Sequence, residues 1–309
     1  MEYEKIADYL CRSASTICRE VRRNSKTHGF YLAKEAQKKY KQRKNKTDRK
    51  KLLKRENKRL KKFVFEKIKN KEWSPKQVEG RLKSNNCPGC LEDKSVSHET
   101  VYRFIYETTV GTHLYKYLRK KSCAQRKSWQ GRSSNTVGGV KNKVPIKKRP
   151  PEADERERLG DLESDTMECQ NGHLSVQIDR KSRLVRLNKL SDKSAKETLK
   201  ALKSTCNNCF SLFQVHTITF DRGTENARHT TLRKEYNIDT YFCDAYCSWQ
   251  KGSVENIIGL IRQYLPNETD LSKVPNEEIK QIQEKLNNRP RKCLNYLTPK
   301  EYVQQEINT

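Results

Sequence analysis

The segment HTITFDRGTEN, His216 to Asn226, decides how the second half of the chain is read. Thr217, Ile218, Thr219 and Phe220 form a β-prone run, Asp221 follows at once, and Gly223 stands two positions on. This pattern predicts a short strand ending in a carboxylate at a turn. A charge at the tip of a buried strand costs free energy unless an opposite charge meets it. The question is therefore which other charged groups share that end of the sheet.

Outward from this segment, the chain from Gly160 on alternates like strands and then like helices. GDLESDTME alternates, Asn171-Gly172 supplies a hairpin turn, and HLSVQID and RLVRLNKL follow as second and third strands. DKSAKETLKALKSTC is an expected helix with Ala195, Leu199 and Leu202 on one face. VHTITF is the fourth strand, NARHTTLRKEYN a helix, IDTYFCD the fifth strand and GSVENIIGLIRQYL a helix. The order β-β-β-α-β-α-β-α predicts a mixed five-stranded sheet flanked by helices, an α/β fold of the ribonuclease-H type, over residues 158–309.

In such a sheet Asp165 on the first strand, Asp221 at the end of the fourth and Glu255 in the first turn of the late helix can meet at one edge. Three carboxylates in one place repel unless cations neutralise them. Two Mg2+ ions (or Mn2+), about 3.5–4 Å apart, would do so, activating a hydroxyl and stabilising a leaving oxygen at phosphorus. Asp165, Asp221 and Glu255 are thus the expected catalytic and metal-binding set, with Gly223 admitting close backbone approach. Glu163 is the main rival, because period two puts it on the same strand face as Asp165. Asp179 reads as a turn or ion-pair residue, Glu225 as a helix-start acid, and Asp244 as a cap or turn. Lys251 and Arg262 are expected at DNA phosphates beside the late helix. Trp249 either stacks on a splayed base or packs. NNRPRK, residues 287–292, is expected to place a final strand or an arm on DNA.

Charge is segregated. The net charge is +28; residues 1–150 hold 42 Lys and Arg against 14 Asp and Glu, and residues 151–309 hold 24 of each. An excess confined to one half points to a nucleic acid as the partner, bound with a steep salt dependence, and the helix pairs below make that partner double-stranded DNA. YEKIADYLCRSASTICREVRRN reads as two short helices around a tight turn. Ser13 or Ser15 can cap the second, and Ser15, Thr16, Arg19, Arg22 and Arg23 point outward to bases and phosphates. Residues 34–72 are dense in Lys and Arg, with an apolar stripe of Leu52, Leu53, Leu60, Phe63, Val64 and Ile68, and read as basic helices on DNA phosphates.

A second helix pair follows. WSPKQVEGRL opens with Ser74 as N-cap, Pro75 at the first helical position and Gln77 completing a capping box. In VSHETVYRFIYE, Ser97 caps, Val101, Phe104 and Ile105 face inward, and His98, Thr100 and Arg103 are left to touch DNA. The expected division is a helix-turn-helix with a basic helical region over 1–60, a second helix-turn-helix over 61–118, a basic linker over 119–157, and the sheet domain beyond.

No run of 18 apolar residues exists and the N-terminus lacks a signal-peptide core, so a cytoplasmic protein is expected. Reduced thiols follow for the 11 cysteines. The pairs Cys87/Cys90 and Cys206/Cys209 lie too far apart in sequence to make a compact zinc quartet, and most of the cysteines read as small buried hydrophobes or bystanders.

Taken in order, STICREVRRN, WSPKQVEGRL, SHETVYRFIY, GDLESDTM, IDRKSR, TFDRGTEN, YFCDAYCSWQKGSVENIIGLIRQYLP and LNNRPRKCLNYLTPKEY resemble the IS30 family of insertion-sequence transposases. That family lies within the DDE transposase and retroviral-integrase superfamily. The resemblance runs over nearly the whole chain. It implies catalytic Asp165, Asp221 and Glu255, and the 33 residues between the last two agree with the superfamily spacing. It implies binding to terminal inverted repeats and target DNA, homo-oligomers on DNA, and metal-dependent strand cleavage and transfer. Family members carry a helix before the point where this chain starts, so a truncated first helix-turn-helix is the expectation. They also show Trp where Leu162 stands and a more polar run at Asn256 to Gly259. A non-catalytic DNA-binding regulator explains the basic half equally well but not the three carboxylates. A nuclease acting on RNA hybrids shares the metal chemistry but not the two DNA-reading helix pairs.

Overall fold

The computed structural model describes residues 3–25, 31–46, 57–84, 91, 94–119, 140–210, 212–245 and 247–308. The chain begins with α1 (Tyr3–Tyr9), α2 (Ala14–Asn24) and α3 (Ala33–Lys46). Residues 10–13 make the turn between α1 and α2, with Cys11 in the left-handed region at φ 49°. Ser13 occupies the N-cap of α2, but its hydroxyl bonds to those of Ser15 and Thr16 rather than to a backbone amide. The basic α3 supports α2 as well as offering charge to solvent. Lys39 Nζ donates to the carbonyls of Asn24 and Ser25, and Arg43 donates to Asn24 Oδ1 at 2.7 Å. Cations on the last carbonyls of a helix complement its dipole. Leu52 and Leu53 of the expected apolar stripe lie outside the described residues.

A second helical unit is built from α4 (Lys58–Lys69), α5 (Pro75–Lys83) and α6 (His98–Glu107). Leu60, Val64, Ile68, Val78, Val101 and Ile105 are buried in its common core. Ser74 and Gln77 make the reciprocal capping box at the start of α5, and Ser97 caps α6. Because α4 starts at Lys58 and Leu60 is in this core, the helix straddles the expected division at residue 60.

This unit is docked onto the far end of the chain. Arg81 pairs with Glu301 and donates to the Tyr296 carbonyl, Gln77 Nε2 donates to the Pro290 carbonyl at 2.9 Å, and Lys285 pairs with Glu72 at 2.8 Å. A Cβ at Gly80 would stand 2.1 Å from the Tyr296 ring, so only glycine permits this contact.

The sheet domain has strands β1 (Asp161–Cys169), β2 (Gly172–Asp179), β3 (Val185–Leu190), β4 (Thr217–Phe220) and β5 (Asp239–Phe242), in the order β3-β2-β1-β4-β5. β1, β2 and β3 are antiparallel neighbours, whereas β4 and β5 add in parallel. This is the mixed ribonuclease-H-like sheet. A five-residue helix, α7 (Pro151–Glu155), precedes it. One face packs on α8 (Ala195–Phe210) and α9 (Thr230–Tyr236), burying Leu162, Leu199, Leu202, Ile218, Phe220 and Leu232. The other packs on α10 (Gly252–Ile261) and α11 (Asn276–Asn287), burying Met167, Val176, Val254, Ile257, Ile279 and Ile282. Each such buried aliphatic side chain contributes roughly 1.5–3 kcal/mol. Along β1 the even-numbered Leu162 faces α8 and the odd-numbered Met167 faces α10, so Glu163 and Asp165 face α10 as well.

Three expectations change here. Of the linker over 119–157, residues 120–139 lie outside the described residues, but the rest packs against the sheet. Phe242 N donates to the Val144 carbonyl at 2.9 Å, Ile146 and Ala153 are buried, and Arg149 Nη1 donates to Thr219 Oγ1 at 2.9 Å. This described part forms an edge of the sheet domain. NNRPRK makes no final strand. Asn287 instead closes the edge of β3, accepting from Val185 N at 2.8 Å and donating to the Val185 carbonyl at 2.9 Å. The chain ends in α12 (Pro299–Asn308), which together with α11 had no counterpart in the sequence reading. Among the described residues no helix is long and apolar enough to cross a membrane.

Candidate active site

Asp165 sits in mid-β1, Asp221 directly after β4, and Glu255 in the first turn of α10. The first two carboxylates are brought to a single cation. Lys251 Nζ lies 3.4 Å from Asp165 Oδ2 and 3.5 Å from Asp221 Oδ2, and also donates to the Ser164 carbonyl at 3.3 Å. Lys251 is the N-cap residue of α10 and is buried, so Glu255 stands one helical turn beyond it, exposed. Among the described residues no three of His, Cys, Asp and Glu are gathered closely enough to enclose a metal ion. The Lys251 ammonium joins Asp165 and Asp221 but not Glu255.

The electrostatics are those of a tight, half-buried charge cluster. Burial raises the Asp165 carboxyl pKa above its ordinary value; Lys251 pulls it back and Asp221 adds to the rise. Burial by itself would depress the Lys251 ammonium, but Asp165 and Asp221 more than offset this and its pKa is raised. Asp221 is held in place by its own turn, accepting from Gly223 N at 3.1 Å and from Asn226 Nδ2 at 3.0 Å. Glu225 folds back over this turn, and a Cβ at Gly223 would collide with its carboxylate at 2.3 Å. The glycine makes room for an acid.

Glu163, the rival ligand, has another task. Its Oε1 pairs with Arg180 at 2.5 Å, and its Oε2 accepts from Ser253 N at 2.9 Å and Val254 N at 3.0 Å. A carboxylate on the first amides of a helix satisfies otherwise orphaned donors and favours the dipole. Glu163 therefore pins the start of α10 to β1, which sets where Lys251 and Glu255 stand. Asp179 is a turn residue, accepting from Gly160 N and from the amide and hydroxyl of Ser182. Burial raises its pKa and these donors lower it, the balance being upward. Asp161 is buried against Arg158 and Thr217. Asp244 closes a turn with Gln250 at 2.8 and 3.1 Å.

Two expected phosphate contacts have partners within the protein. Lys251 is buried between carboxylates rather than presented to solvent. Arg262 donates to the Glu168 carbonyl at 2.6 Å and more weakly to the Leu265 carbonyl, tying the end of α10 to the end of β1. Trp249 is 70% exposed, which leaves its ring unpacked. Ser15, Thr16, Arg19, Arg22 and Arg23 are all exposed on α2, though Arg19 also donates back to Ser15. In the second helical unit the expected readers are partly occupied. His98 Nδ1 is 2.5 Å from Glu79 Oε2, Arg103 pairs with Glu99 at 3.1 Å, and Thr100 bonds to Ser97. Although burial opposes it, hydrogen bonds from Lys83 and His98 bring the Glu79 carboxyl down to about 2. Cys87 and Cys90 lie outside the described residues.

No protein-family model matches the chain. The transposase of insertion sequence element IS4351 from Bacteroides fragilis is 38% identical over 312 aligned positions, covering 100% of this chain and 91% of that protein. The transposase InsI of element IS30A from Escherichia coli (strain K12) is 32% identical, with 99% and 80% covered. This chain belongs to the IS30 family of insertion-sequence transposases. A third IS30-family relative, the transposase of IS1086 from Cupriavidus metallidurans, is 33% identical, with 98% and 88% covered. Among solved structures, the catalytic core domain of BIV integrase is 18% identical with a TM-score of 0.37, covering 48% of this chain and 95% of that one. The HTLV-2 integrase core in complex with magnesium, in its trimeric form, gives the same identity and TM-score over 46% of this chain and 95% of that one.

Proposed function

We propose that this IS30-family transposase binds the ends of its insertion sequence and cleaves and transfers DNA strands, with Asp165, Asp221 and Glu255 as the catalytic carboxylates. The observation that carries the reading is the convergence of Asp165 and Asp221, from separate strands, on one buried cation at the start of the helix bearing Glu255. Hard carboxylate oxygens are the donor set that Mg2+ or Mn2+ prefers, so the residues present fit a divalent ion. Such ions, two of them in this reading, supply charge neutralisation at phosphorus and a lowered pKa for a bound hydroxyl.

The chain's own groups orient and tune this centre. Gly223 and Asn226 fix the Asp221 rotamer, Thr166 N donates to Asp165 Oδ1 at 2.9 Å, and Glu163 fixes the helix that carries Glu255. Lys251 holds the two aspartates together and offsets part of the rise that burial gives the Asp165 pKa. Exposed Trp249, two residues before Lys251, is free to stack on a base displaced near the cleavage point.

DNA affinity is assigned to the basic first half, with Ser15, Thr16, Arg19, Arg22 and Arg23 on α2 as the readers of element ends. His98, Thr100 and Arg103 join them only where DNA competes with their acidic or hydroxyl partners. An element has two ends, so the reading includes a homo-oligomer acting on both. The test is Asp221→Asn, assayed for cleavage and for gel shift on the same preparation. Cleavage should fall at least ~100-fold, as for loss of one transition-state group, with binding retained. Full cleavage by the variant would remove Asp221 from the centre.

A further inference from the structure

A cavity of about 260 Å³ opens at the start of α10, where Arg156, Arg183 and Arg291 meet Gly252, Ser253 and Asn256. The three arginines come from separate places: the C-cap of α7, the β2–β3 turn and the segment after α11. None of them forms an ion pair among the described residues, although neighbouring Arg149, Arg158 and Arg180 each hold a carboxylate. Glu163, the nearest acid in the sheet, is already taken up by Arg180 and the α10 amides. The pull of this cavity is therefore that of three guanidiniums and not of the helix end.

Two further features need a reason. Arg156 and Arg183 both adopt left-handed backbone, each at φ 63°. That conformation favours Gly or Asn and costs an ordinary side chain roughly 1–2 kcal/mol, so a long cationic side chain at both turns is not explained by the turns. Arg291 Nε is buried without a hydrogen-bond partner, which is unusual for a polar group in a finished interior. The mutual crowding is marked: burial, then Arg289 and Arg183, bring the Arg291 guanidinium down to about 10. Burial and Arg183 also lower Arg156. An oxyanion between them would satisfy the orphaned donor and relieve the like-charge repulsion, and planar guanidiniums suit phosphate oxygens.

We propose that this cavity is a phosphate-binding site, with Arg156, Arg183 and Arg291 as its ligands. In a DNA-acting chain the source is a backbone phosphodiester. Ser253 links the site to the catalytic helix, since Arg183 donates to its hydroxyl and Glu163 accepts from its amide. A phosphodiester seated there would register DNA against α10 without touching Asp165 or Asp221. The inference does not rest on the carboxylate chemistry, and its test reads no cleavage.

The experiment uses the full chain with inorganic phosphate, then with DNA. Thermal unfolding is compared in phosphate and in chloride at equal ionic strength. Phosphate should raise the wild-type midpoint, and the shift should be lost in Arg156→Gln/Arg183→Gln. It should persist in a control that removes two exposed charges from α8, Lys196→Gln/Lys200→Gln. If the double variant does not fold, Arg156→Gln alone carries the comparison, because among the described residues that side chain makes no hydrogen bond to be lost. In the second arm, the log-log salt slope of DNA binding should shrink in the variant by about 0.9 for one phosphate contact. A lost phosphate shift with an unchanged DNA slope supports the site and assigns it to free phosphate. An equal phosphate shift in wild type and variant would overturn the proposal.

Discussion

On α2, Arg19, Arg22 and Arg23 stand in solvent, whereas in the sheet domain Asp161, Glu163 and Asp179 are buried and each is met by at least two donors. The two regions use charge in different ways. In the proposed reading the exposed cations of the first half act together on DNA, through counterion release, and any one of them matters little to folding. The buried acids of the second half each hold two segments in register, and removing one leaves its partners desolvated and unmatched. Glu163 and Asp165 sit two residues apart on one strand face yet divide the work, one fixing the helix and the other pairing with Lys251.

The largest effect that could break this contrast is at Glu163. Glu163→Ala leaves Arg180 and the Ser253 and Val254 amides without their acceptor inside the protein. The expected loss is about 3–5 kcal/mol, measured as a shift of the denaturant midpoint. Glu163→Gln should lose less, since it keeps an acceptor for the helix amides. An unchanged midpoint in the alanine variant would make Glu163 as dispensable as a surface charge.

The next effect is at Lys251. Lys251→Gln leaves Asp165 and Asp221 facing each other, and the expected cost at neutral pH is about 1–3 kcal/mol, below the buried-pair figure because Asp221 is 44% exposed. The pH dependence follows from Asp165, whose folded pKa is raised above its unfolded value. The penalty is present above the folded pKa and is relieved as pH falls through it. Removing the ammonium raises that pKa further, so the variant should recover stability on acidification from a higher pH than wild type. Unfolding midpoints taken from neutral to acidic pH would show parallel curves if Lys251 were not the partner of Asp165.

The smallest effects lie in the first half and separate reading from attraction. Arg19→Ala should cost about 1–3 kcal/mol on element-end DNA and much less on random DNA, as for a base contact. Arg59→Gln and Lys62→Gln on α4 should weaken both DNAs alike and reduce the salt slope by about 0.9 for each phosphate contact removed. Equal effects of all three on both DNAs would reduce α2 to an electrostatic anchor.

What could be read from sequence follows the range of the interactions. The five strands and the helices between them are written in local alternation and in turns such as Asn171-Gly172, and their positions match the observed elements closely. The capping box of Ser74 and Gln77 is equally local. Period two also placed Glu163 and Asp165 on one face. It could not reveal that the start of α10 lies over that face, because the contact joins residues 90 apart in sequence. The same limit hid the Lys251 bridge and the docking of Arg81 on Glu301. The apolar stripe of α11, Ile279, Ile282 and Leu286, is equally local and legible in the sequence, although no helix was expected there.

In the proposed reading Asp165, Asp221 and Glu255 together form a divalent-metal centre. Mn2+ binding to the full chain, followed by electron paramagnetic resonance, tests it most directly, with Asp165→Asn, Asp221→Asn and Glu255→Gln measured beside wild type. Wild type should bind Mn2+, and each substitution should weaken binding by ~10-fold or more, since even outer-shell partners of a metal contribute that much. Undiminished Mn2+ binding in all three variants would contradict the account.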